Sequence, residues 1–150
     1  MNESTLHGSC LCGTVKYEVT PPFKFFAHCH CSRCRKSSGT GHATNIAVAP
    51  EQFRWTSGED AISRYKLPEA ESFGKWFCSH CGAPVPRDTR GGTLMVIPAG
   101  SLDEEPPTKP TDRIFWNSRA EWSCDCNDMP THEEYPEAWF SAPKENEKKS

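Results

Sequence analysis

No run in this sequence approaches the roughly 18 consecutive apolar residues that cross a membrane as a helix. The opening, MNESTLHGSC, lacks the apolar core of a secretory signal, so a cytoplasmic chain is expected. An excess of positive charge is missing too, since 17 lysines and arginines face 20 aspartates and glutamates, a net charge of −3. Proteins that grip nucleic acid through their whole surface are strongly basic, so no nucleic-acid partner is expected and any anion binding must be local. Hydrophobic residues are scarce at 35%. No apolar period of 3.6 residues is sustained, and no internal repeat is convincing. With 13 prolines, that leanness disfavours a helical bundle and favours short strands joined by loops. A chain of 150 residues has room for one domain around one modest core. A domain of that size buries only about two-thirds of its unfolded surface, which gives cross-links an important part in its stability.

Cysteine is what the chain has in abundance, with nine. In a reducing compartment disulfides are disfavoured, and an odd count argues the same way. The C-x-C and C-x-x-C spacings point to metal binding instead.

The strand signals are short. In GTVKYEV, Val15, Tyr17 and Val19 share one face while Lys16 and Glu18 share the other. TNIAVA (44–49) is a second candidate. QFRW (52–55) and ISRYK (62–66) flank the turn-like TSGED and suggest a hairpin. FGKWF (73–77), the apolar run TLMVIP (93–98) and RIFW (113–116) complete the set. The Pro-rich segment 103–112 cannot be a central strand. A short helix fits 31–38, stopped by Gly39 and Gly41. Residues 141–150 are polar and charged, and disorder is expected there. The expectation is an antiparallel all-β fold, one domain over 1–140, with loops carrying the cysteines.

Zinc accepts four thiolates in a tetrahedron, and structural sites fill all four positions with protein ligands. Cys12 and Cys81 each precede a glycine, which takes positive φ freely and lets backbone N–H groups point at sulfur. Cys10 and Cys12 therefore pair with Cys78 and Cys81 as a structural zinc site. Cys29, Cys31 and Cys34 remain. Three protein ligands with an exchangeable fourth position is the plan of a catalytic zinc. A closed site completed by His28, His30, His42, Cys124 or Cys126 is the alternative. His30 lies between two ligands and is expected to point away, and His28 shares that difficulty in milder form.

HGSCLCGTVKYEV, HCHCSRCRKSSGTGH, KWFCSHCGAPV, IPAGSLD and DMPTHEEYP follow one another in an order and spacing that resembles the glutathione-dependent formaldehyde-activating enzyme family, which includes centromere protein V. The resemblance spans roughly residues 7 to 140. It implies a small zinc-stapled β-tent and two zinc ions per chain. Cys10, Cys12, Cys78 and Cys81 would hold the structural ion, and Cys29, Cys31 and Cys34 the second. The implied activity is that of a carbon–sulfur lyase joining formaldehyde and glutathione reversibly into S-hydroxymethylglutathione. Cys124 and Cys126 depart from the family pattern.

Arg33, Arg35 and Lys36 cluster beside Cys34 and suit the carboxylates of a glutathione-like thiol. They read equally as a solvated basic turn. Asp128, His132, Glu133 and Glu134 are candidates for acid–base work, although a polar loop before Pro136 is the plainer reading. Trp116, Trp122 and Trp139 are expected in the core or a pocket wall, His7 is expected to be ordinary, and His80 to be a bystander inside its knuckle. The competing function is a non-catalytic scaffold domain that keeps both zinc ions as staples.

Overall fold

A computed structural model describes residues 4–123 and 128–140. The strands β1 (Leu6–Ser9), β2 (Lys16–Val19) and β5 (Phe53–Ser57) form a three-stranded antiparallel sheet in the order β1-β2-β5. A five-stranded sheet is built from β3 (Phe25–Cys29), β4 (Ala43–Val48), β8 (Arg87–Thr89), β9 (Leu94–Pro98) and β10 (Asp112–Ile114), ordered β10-β3-β4-β9-β8. The strands β6 (Ile62–Lys66) and β7 (Gly74–Cys78) pair as a hairpin. One helix, α1 (Ser32–Ser38), lies between β3 and β4.

The alternation in GTVKYEV is realised as expected, with Val15, Tyr17 and Val19 buried and Lys16 exposed. Tyr17 and Val19 meet the inner residues of β4 and β9, Ile46, Val48, Met95 and Ile97, in the larger core cluster. Phe53 of β5 stacks on Tyr17 at 5.3 Å between ring centroids, and Trp55 meets it edge-on at 6.3 Å. A second, smaller cluster of Cys10, Val15, Ile62, Cys78 and Val85 joins the three-stranded sheet to the β6–β7 hairpin. Trp55 touches both clusters. The chain is thus a single small domain of open, mostly antiparallel sheets with one helix.

Two details differ from expectation. Segments 52–55 and 62–66 do not form a hairpin, because β5 pairs with β2 and β6 with β7. The reason lies at Gly58, which holds φ +72 where a Cβ would stand 2.1 Å from the Thr14 carbonyl oxygen. The chain turns there against the β2 side and leaves for the next sheet. The pairing of β10 with β3 is parallel, unlike the others. The 31–38 helix is present, with Cys31 at its N-cap and Gly39 at φ 73 closing it through a 2.8 Å bond to the Arg35 carbonyl. The Pro-rich segment carries no central strand. The tail, 141–150, lies outside the described residues, as do Cys124 and Cys126.

Candidate metal centres

Two matching turns build the first centre. Gly13 N–H donates to the Cys10 carbonyl at 3.1 Å, and Gly82 N–H to the Cys78 carbonyl at 2.7 Å. Both glycines have positive φ, 82° and 75°, the conformation their positions after Cys12 and Cys81 require. The turns aim backbone donors at sulfur: Val15 N–H at Cys10 Sγ, 3.2 Å, and His80 N–H at Cys78 Sγ, 3.4 Å. The four sulfurs lie within 4.8 Å of one another. Four sulfurs about 2.3 Å from a central zinc stand about 3.8 Å apart. The Cys10–Cys12 and Cys12–Cys78 separations are 3.7 and 3.8 Å, so the donor set fits that ion in number, chemistry and spacing. Thr14 Oγ1, 3.1 Å from Cys12 Sγ, donates to the sulfur when it is ionised and pushes that thiol down to about 6. Burial pushes Cys78 up to about 11.

The second centre sits where β3 runs into α1. Cys29 ends the strand, Cys31 caps the helix and Cys34 lies in its first turn. The helical backbone brings Cys34 N–H to 3.3 Å from Cys31 Sγ. The three sulfurs lie within 4.8 Å of one another, and among the described residues no histidine or carboxylate joins them. A hydrogen bond from Cys34 holds the Cys29 thiol down to about 6, while the same bond and burial push Cys34 up. This set too suits a soft divalent ion.

The three nearby histidines form a cluster of their own. His42 packs its ring 4.0 Å from that of His28 and 5.1 Å from that of His30. Thr44 Oγ1 bridges His28 Nδ1 at 2.9 Å and His42 Nδ1 at 3.2 Å. His30 is buried, and neither ring nitrogen has a hydrogen-bond partner. Its ring meets Trp116 edge-on at 5.0 Å, and burial lowers its basicity.

Beside the second centre opens a cavity of about 330 Å³, walled by Cys34, His42, Phe73, Lys75, Trp76 and Arg87 among others. Arg33, Arg35 and Lys36 do not line it. Arg33 and Lys36 are exposed, while Arg35 donates to the carbonyls of His30 at 3.4 Å and Ser118 at 3.2 Å. The cations on the wall, Lys75 and Arg87, come from β7 and β8. Burial lowers the pKa of both, and the Cys34 thiolate opposes that shift. No spacing rule marks them, because the strands that carry them are brought to α1 only by the sheet arrangement. Asp128, His132, Glu133 and Glu134 are exposed and lie off the cavity wall. Trp122 and Trp139 are 70% and 69% exposed, which corrects the expectation of core or wall, and Trp76 takes the wall position instead. His80 sits beside Thr14, and His7 is bound to Glu104.

The family model described as glutathione-dependent formaldehyde-activating enzyme matches residues 5–118. A Halomonas elongata protein named "Putative glutathione-dependent formaldehyde-activating enzyme" is 32% identical over 114 residues, 73% of this chain and 72% of its own length. The crystal structure of a Rhodobacter sphaeroides protein, 23% identical, superposes with a TM-score of 0.56 over 69% of this chain and 97% of its own, a likeness of fold. No helix among the described residues is long and apolar enough to cross a membrane. With the paired cysteine centres in place and the family model spanning most of the sequence, the chain belongs to the glutathione-dependent formaldehyde-activating enzyme family.

Proposed function

We propose that this protein is a zinc-dependent carbon–sulfur lyase acting on a thiol–aldehyde adduct such as S-hydroxymethylglutathione. One observation carries the reading. Cys29, Cys31 and Cys34 gather three thiols around one point, no other donor of the described residues joins them, and Cys34 opens onto a cavity. The family and the name of the Halomonas relative supply the thiol and the aldehyde.

The reaction needs no oxidant. In condensation the thiol sulfur bonds to the carbonyl carbon, the thiol loses its proton and the carbonyl oxygen gains one; cleavage reverses each change. Cys29, Cys31 and Cys34 would hold a zinc ion, which would supply a positive site for a thiolate, and three thiolate ligands would damp its Lewis acidity in favour of sulfur chemistry over water activation. The rest falls to the chain. Helix α1 fixes Cys31 and Cys34 relative to each other. Phe73 and Trp76 give the cavity apolar walls that limit water. His42, the one imidazole among the described residues of the wall, is held through Nδ1 by Thr44 and serves to hold and return the proton exchanged by the adduct oxygen.

Titration of the cobalt-substituted protein with glutathione tests the reading. The visible spectrum is expected to change as sulfur reaches the second centre. An unchanged spectrum at saturating thiol sinks the lyase and favours the scaffold. His42→Ala is expected to keep thiol binding and slow adduct exchange, followed by NMR, about a hundredfold or more, the scale of general acid–base help.

A further inference from the structure

The cavity beside Cys34 carries a charge pattern that the cysteine chemistry leaves unused. Lys75 and Arg87 reach one wall from two different sheets, and among the described residues no aspartate or glutamate lines the space. Among the described residues neither cation forms an ion pair. Their bonds go to neutral carbonyls. Lys75 Nζ donates to the Ser37 carbonyl, and Arg87 Nη1 to those of Ser72 at 3.2 Å and Asp88 at 3.4 Å. The guanidinium also lies over the Phe73 ring, 5.1 Å from its centroid. These contacts orient the two groups, and the charges that act on them are Cys34 on both and the Asp88 carboxylate on Arg87, neither of them within ion-pair distance. Partly desolvated cations are costly to hold unless an anion completes them.

We propose that Lys75 and Arg87 form a carboxylate subsite, so that the cavity takes an acidic thiol with its sulfur toward Cys34 and a carboxylate against the two cations. The subsite deepens the thiol-binding reading above and rests on it. A guanidinium fork matches a carboxylate through two parallel hydrogen bonds, and an ammonium adds a point charge beside it. The volume of about 330 Å³ is at the lower end of the range of about 300–1,000 Å³ for small-molecule sites, which selects a tripeptide-sized thiol or a smaller one. The competing role for the two cations is that of counter-ions to the thiolates of the second centre, and it makes a different prediction.

Calorimetric titration of the metal-loaded protein with 3-mercaptopropionate, 2-mercaptoethanol and propionate separates sulfur from carboxylate. The acidic thiol is expected to bind about tenfold or more tightly than the neutral one, as a charge-assisted hydrogen bond provides. Lys75→Met and Arg87→Met should each remove most of that advantage while leaving 2-mercaptoethanol affinity and metal content unchanged. Lys75→Arg and Arg87→Lys should keep part of it. Equal affinities in the wild type, or an advantage that survives both methionine variants, overturns the subsite and leaves the thiol reading standing. Methionine variants that lose metal while keeping the advantage make the cations counter-ions, which also overturns it. Binding of propionate without either thiol keeps the subsite and sinks the thiol reading; binding of none overturns both.

Discussion

His7 ties the first strand to the segment after β9 through a single carboxylate. Its backbone N–H donates to Glu104 Oε2 at 2.7 Å, and its Nδ1 lies 2.6 Å from Glu104 Oε1. The side-chain bond to Glu104 raises the His7 pKa above the ordinary 6.5, and the bond from the His7 backbone lowers that of Glu104 below 4.5. A raised histidine gives stability that is complete below its unfolded value and lost as pH rises through its folded value. A lowered glutamate gives stability present above its unfolded value and lost as pH falls through its folded one. The pair therefore stabilises most between 4.5 and 6.5. Glu104→Gln keeps an acceptor for the backbone and removes the charge. An NMR titration should show the His7 pKa fall toward 6.5 in that variant. The melting-temperature difference from wild type should be largest in the same window and fade toward alkaline pH. A difference that holds constant well above neutrality means hydrogen bonding alone makes the link. Residues legible in the sequence were those whose chemistry is local, such as the glycines after Cys12 and Cys81 and the alternating Val15, Tyr17 and Val19. Lys75 and Arg87 were not legible, because a cavity wall is a property of strands meeting in space.

At the scale of elements, each cysteine pair or trio belongs to a turn with its own backbone logic. The C-x-C after β1 and the C-x-x-C that begins at the last residue of β7 close on themselves through glycine and meet at the smaller core cluster. The C-x-C-x-x-C instead spans a strand end and a helix cap. This difference was readable from Gly13 and Gly82 against Arg35. The pairing of β5 with β2 was not, since TSGED looks locally like a hairpin turn and only the close approach of Gly58 to Thr14 sends β6 elsewhere. The two turn types predict two outcomes. Cys78→Ser should lose one metal ion and cost about 3 kcal/mol or more in urea denaturation, on the scale of a lost covalent cross-link, because Cys78 is fully buried at the junction of two sheets. Cys31→Ser, at a half-buried helix cap whose hydroxyl still accepts from Cys34 N–H, should lose one ion at about 1 kcal/mol or less. Metal analysis beside the denaturation curves decides it, and global unfolding of Cys31→Ser would make both centres structural.

The whole molecule is held by an uneven division of labour. The larger core cluster joins the five-stranded and three-stranded sheets through ordinary apolar side chains. The hairpin β6–β7 is attached through a cluster in which Cys10 and Cys78 are themselves core residues. The sulfur of Cys78 lies 3.8 Å from that of Cys12, 66 positions away in the chain. Closing a loop of that length costs the unfolded chain entropy that a cross-link removes, on the order of 4 kcal/mol by analogy with a disulfide. A lean composition leaves little apolar area to replace it. Stability should therefore follow free zinc concentration. Buffering zinc to low levels with a chelator should lower the melting temperature by about 10 °C or more, since each kcal/mol moves a domain of this size by a few degrees. The first part of the chain to lose protection from hydrogen exchange should be β6–β7 and the turn at Cys10, while β4 and β9 stay protected. That order follows from what each sheet is fastened with. Uniform loss of protection across β4 and β7 would show that the two clusters act as one cooperative core, with the metal stabilising all of it equally.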